Sequence, residues 1–131
     1  MNARFDLYAK IFVRGIDQVE AKELLARDFR GEFDVNSMHL DGFVVEARKN
    51  TDAGKGPVED FLFWPIIVEL DADPESGLDL LISSTSRVLK MFWSSDLQAI
   101  AACDFENRLP WRGGLDLYFS ICATKGASPL E

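Results

Sequence analysis

FLFWPIIVEL (residues 61–70) is the most apolar stretch of the chain, and DADPES (71–76) and GLDLLISSTSRVLKMFWS (77–94) follow it directly. A continuous apolar run bounded by a turn reads as a central strand buried on both faces. Pro65 lacks the amide proton a ladder needs, so a bulge or an edge position is expected there. The acidic turn then leads into a helix. Its Leu78, Leu81, Ile82, Thr85, Leu89 and Phe92 repeat at the three-four spacing of one buried stripe. A strand, a turn and an amphipathic helix already imply a helix laid on a sheet.

Upstream, Phe5, Leu7, Ala9, Ile11 and Val13 alternate with Asp6, Tyr8 and Lys10, the pattern of a half-buried strand over residues 5–13. Asp17 is placed to cap a helix running to about Phe29, with Ala21, Leu24, Leu25 and Phe29 on one face and Gly31 as its stop. A second strand is expected over residues 33–38. Asp41-Gly42 signals a hairpin turn, and residues 43–48 make a third strand. KNTDAGKGP (49–57) is the clearest loop.

Downstream, Gln98 to Cys103 reads as a short strand, DFENRLPWRGG (104–114) as irregular, and residues 115–122 as a last strand. The order β-α-β-β-β-α-β gives an α+β fold, two helices packed on a mainly antiparallel sheet with a split β-α-β, ferredoxin-like flavour. One domain is expected over residues 1–131, with a disordered tail from about residue 123.

Composition narrows the function classes. The 131 residues are 47% hydrophobic, enough for a core of one domain, and 22 acidic residues against 14 basic ones leave a net charge of −8. Such a surface repels phosphate backbones and anionic lipid and attracts cationic partners. Neither nucleic acid nor a membrane is expected as partner. Acidity also serves solubility alone. Cys103 and Cys122 form no CxxC or Cys/His cluster, so no zinc is expected. No apolar leader opens the chain and no run approaches the roughly 20 residues of a membrane span, so a cytoplasmic protein with free thiols is expected.

Catalytic patterns are sparse. There is no GxSxG elbow. Ser83, Ser84 and Ser86 lie on the helix, exposed or bonded to their own turn. His39 is the only histidine, and a lone histidine is more often a strand or loop residue than a general base. Lys55 in GKG does not meet the phosphate-loop spacing. Gly113-Gly114 fits a tight turn. Asp71, Asp73 and Glu75 put three acids on one turn, which offers hard oxygen ligands to Ca²⁺ or Mg²⁺. The plainer reading is a solvated turn whose Asp73 or Ser76 caps the helix. Asp104 and Glu106 follow a strand and suit either acid-base work or hydrogen bonds to a cationic partner. No metal or cofactor is expected. Trp93 and Trp111 lie off the buried stripes, and partly exposed tryptophan beside acids is the composition of an interface hot spot. An RNA-stacking sheet is the rival for such aromatics, and the net charge opposes it.

FLFWPIIVEL, the acidic turn, the long helix, AACDFENRLP and the GG pair together resemble the immunity proteins of bacterial polymorphic toxin systems, which act like contact-dependent-inhibition immunity proteins. The resemblance covers residues 61–114, and the first half only in layout. It implies a non-enzymatic inhibitor that binds a cognate toxin domain, a basic nuclease in the expected case. Charge clustering, independent of the resemblance, puts the partner surface at Asp71, Asp73, Glu75, Trp93, Asp104, Glu106 and Trp111. Two other classes stay open: a small-molecule-binding regulatory domain, and a small enzyme using Asp104, Glu106 or His39. Oligomeric state is open.

Overall fold

A computed structural model describes residues 7–118. The elements run β1 (Tyr8–Arg14), α1 (Gln18–Phe29), β2 (Ser37–Leu40), β3 (Phe43–Lys49), β4 (Ile66–Ala72), α2 (Gly77–Ser94) and β5 (Gln98–Ala102). The strands form one sheet in the order β2-β3-β4-β1-β5, every neighbouring pair antiparallel. This is the expected α+β order. β4 and β5 are both antiparallel to β1 and flank it, so β4-α2-β5 is a split β-α-β unit with β1 inserted. The same relation joins β1 and β3 around β4, with α1 and the edge strand β2 in the connection.

Alternation decides which face each side chain takes. The row Ala101, Ile11, Val68, Ala47 crosses the sheet on its helix side, and all four are buried. Ala21 and Leu25 of α1 and Leu81, Val88, Leu89 and Phe92 of α2 close over that side. Asp17 caps α1 as expected, through a full capping box with Glu20. The stop differs: Arg30, at φ 57°, is the left-handed residue, not Gly31. Gly31 is needed for room instead, since a Cβ there would meet Met38 Sδ at 2.6 Å.

The central segment departs from expectation at its start. Residues 61–63 are a 3₁₀ turn, and β4 begins at Ile66, paired with Lys49. Pro65 therefore precedes the ladder, and neither a bulge nor an edge position is required. Burial on both faces holds for Ile66, Ile67 and Val68 only, because Glu69 and Asp71 turn outward on a face the helices do not cover. On that second face Trp64 packs with Phe12, Ile67, Ile100 and Tyr118 as a separate small core. Trp64 meets Tyr118 edge-on at 5.4 Å, and its indole N–H donates to the Val58 carbonyl at 2.9 Å. Asn50 is buried and ties the loop down, its amide donating to the carbonyls of Leu62 and Trp64 at 2.9 and 2.7 Å. A lone Trp64→Ala change here removes a fully packed ring, a loss of about 3–5 kcal/mol.

Other corrections are local. β2 spans Ser37–Leu40, later than the expected 33–38. Val35 is left-handed and exposed, and Asp34 pairs back to Ser37 in a tight turn. Ser76 takes the N-cap position of α2, but neither it nor Asp73 forms a side-chain cap. The buried stripe of α2 includes Ser84 and Val88 as well as Leu81, Thr85, Leu89 and Phe92, while Leu78 and Ile82 are partly buried. Residues 104–114 hold two 3₁₀ turns. Residues 115–118 are helical, with Tyr118 N–H donating to the Gly114 carbonyl, so the expected last strand is absent from its described part. Phe5, Cys122 and the tail from residue 123 lie outside the described residues.

Candidate partner-binding face

The uncovered half of the second sheet face carries charge. One row runs Ala102, Lys10, Glu69, Glu46, Ser37 across five strands, and the next runs Tyr8, Asp71, Val44, His39. Glu69 is the centre. Arg48 reaches it at 2.9 Å and the Tyr8 hydroxyl donates to it. Its side chain is only 13% exposed. Burial pushes its carboxyl up, but the bonds from Arg48, Tyr8 and Glu46 outweigh that and hold it down at about 2.

Its neighbours show the opposite shift. Glu46 stands directly opposite Glu69, close enough for its carboxyl, when protonated, to donate to the Glu69 carboxylate. That bond, then burial and the Glu69 charge, raise Glu46. Burial and the Glu69 charge raise Asp71. Burial, with the bond to Glu69, raises Tyr8 as well. Lys10 sits beside Glu69 in the row but holds its ammonium over the Phe12 ring, 5.9 Å from its centre. Arg48 bonds Glu69 only, so Glu46 and Asp71 have no ion-pair partner among the described residues.

The acidic turns extend this face. β4 and β5 run the same way, so the turn after Ala72 and the loop after Ala102 leave the same end of the sheet, two strand spacings or roughly 10 Å apart. The Asp41-Gly42 hairpin joins them there, with Asp73 N–H donating to the Gly42 carbonyl at 2.8 Å. Gly42 has φ 92°, and a Cβ there would meet Ser76 Oγ at 2.5 Å, so only glycine permits that approach. Arg108 reaches Asp79 at 3.6 Å and links the β5 loop to the first turn of α2.

The structure thus brings Asp71, Asp73, Glu75 and Asp104 to one end of the sheet, all exposed. Glu106 differs, because its carboxylate accepts from the Cys103 amide at 3.1 Å and serves its own loop. Trp93 is half-buried against the main core and donates its indole N–H to the Ala99 carbonyl at 3.0 Å, which uses up its polar handle. Trp111 is 53% exposed on a turn in which residues 111–114 all have positive φ. His39 lies on edge strand β2 and Asp104 follows edge strand β5, about 19 Å apart across the sheet, so these do not meet. Burial pushes the Cys103 thiol up to about 11, away from thiolate chemistry. Among the described residues no three His, Cys, Asp or Glu side chains converge as a metal-holding group. Among them, too, no helix is long and apolar enough to cross a membrane.

Tyr8, Glu46, Arg48 and Glu69 were not singled out from the sequence. Their signal was present: Tyr8 alternates outward from a buried strand, and Glu69 is the one charge inside the apolar run. Comparison of the chain with protein-family models, with curated proteins and with solved structures returned no match in any of the three.

Proposed function

We propose that this chain is a binding protein for a cationic protein domain, acting as an immunity protein that neutralises a cognate toxin by occluding its substrate surface. The supporting observation is the continuity of a carboxylate-rich sheet face with the acidic turns at one end of the sheet. Raised carboxyls mark a face that gains from added cations, because an arriving Lys or Arg relieves repulsion already present. A nuclease surface built to grip phosphates offers such cations, and carboxylates mimic the phosphates it displaces.

Growth protection is the test. Co-expression with the toxin domain encoded beside the gene is expected to restore growth, and Asp71→Lys with Asp73→Lys is expected to abolish protection while the variant still folds. Protection unaffected by those changes, or the absence of any toxin-encoding neighbour, contradicts the proposal. A small-molecule-binding role is the second reading, favoured by a groove on the opposite side of the molecule.

A further inference from the structure

The two helices leave a groove between their outer faces, about 920 Å³ in volume. Four cations line it, Arg27 and Arg30 from the end of α1 and Arg87 and Lys90 from α2, against one carboxylate, Asp28. In a chain of net charge −8 this is a local reversal of sign. Arg87 is committed to structure: it pairs with Asp28 at 2.9 Å and lies 4.3 Å over the Phe29 ring. Arg27, Arg30 and Lys90 form no ion pair among the described residues. A cation in the last turn of α1 complements the helix dipole, which accounts for Arg27. It does not account for Arg30 and Lys90 lining the same groove as Arg27. Ser86, half-buried in the same groove, makes no side-chain hydrogen bond to another described residue.

We infer that this interhelical groove binds a small anion bearing two or more phosphate groups. Its volume suits a ligand of nucleotide size. The cations come from two helices, so one phosphate cannot engage them all, whereas a di- or triphosphate spans them. The acidic face does not forbid this, because the helix and sheet layers separate it from the groove by about a Debye length or more, roughly 8–10 Å at moderate salt. A long polyanion would extend past the groove onto acidic surface and be repelled. This site is independent of the sheet face proposed for a protein partner.

Calorimetric titration of the chain at low salt with inorganic pyrophosphate and with ATP tests the site. Arg30→Asn with Lys90→Gln is expected to weaken binding about tenfold or more, with asparagine chosen because it tolerates the left-handed backbone at position 30. Lys49→Gln with Lys55→Gln removes the same charge elsewhere and is expected to leave the affinity within about twofold. Tighter binding of ATP assigns a nucleotide, and equal binding assigns a free polyphosphate. Binding of neither ligand overturns the inference. So does an equal loss in both double variants, which makes the effect one of net charge. Tighter binding of a short single-stranded oligonucleotide overturns it too.

Discussion

Glu46 and Glu69 stand directly opposite each other on β3 and β4, with Arg48 bonded to Glu69 alone. Like charges placed opposite on neighbouring strands destabilise a sheet. The pair persists because Glu69 is held ionised by Arg48 and Tyr8, which leaves Glu46 as the member that accepts protonation.

The pH dependence of stability follows from that asymmetry. Glu46 and Asp71 bind a proton more tightly folded than unfolded, so their destabilisation is greatest at neutral pH and disappears as pH falls through their raised values. Glu69, lowered from 4.5 to about 2, works the other way: its stabilisation is complete above 4.5 and is lost as pH falls toward 2. The melting temperature is therefore expected to rise as pH falls from neutral toward 4.5, then to fall as Glu69 is protonated between 4.5 and about 2. Glu46→Gln supplies the donor without a titrating charge. It is expected to add a few tenths to about 1 kcal/mol at neutral pH and to flatten the rise. A variant less stable than the parent at neutral pH contradicts the repulsion between Glu46 and Glu69.

Thr85 makes a second prediction. It is fully buried on the sheet-facing side of α2, and its hydroxyl has no hydrogen-bond partner among the described residues. Thr85→Val keeps the branched shape and removes the unpaired hydroxyl, so urea unfolding is expected to show a gain of about 1 kcal/mol. A loss would show that the hydroxyl has a partner.

Gly114 makes a third. Its φ is 99°, and a Cβ there would lie 2.4 Å from the Ala99 carbonyl oxygen and 2.9 Å from the Trp93 ring. Gly54 has φ 77° with open space around it. Gly54→Ala is expected to cost about 1 kcal/mol from backbone strain alone. Gly114→Ala adds the clash and is expected to cost at least about 2–3 kcal/mol more by equilibrium unfolding. Equal losses at the two positions would remove the close approach from the account.

How far the sequence anticipates these features depends on the range of the interaction. The α2 boundaries and the Asp17 cap follow from periodicity and local capping, and both are found as expected. The 3₁₀ turn at residues 61–63 was hidden, because an apolar run reads alike whether it pairs in a sheet or folds back to cover one. Trp64 belongs to that cover and not to the strand. Phe33 and Val35 have strand-like chemistry, yet Asp34 and Ser37 close a turn there and β2 starts only at Ser37. The acidic turns were visible as composition. The Glu46–Glu69 pairing was not, since it depends on a register across 23 residues of chain set by the loop that Asn50 anchors.

The most direct test of a cationic protein partner is the rate of association with the neighbouring toxin domain, measured by stopped flow across a range of salt. The account predicts fast association that slows steeply as salt rises, and a roughly tenfold or greater slowing at low salt in an Asp71→Asn, Asp73→Asn, Glu75→Gln variant with little change in dissociation. An association rate indifferent both to salt and to those three substitutions would contradict it.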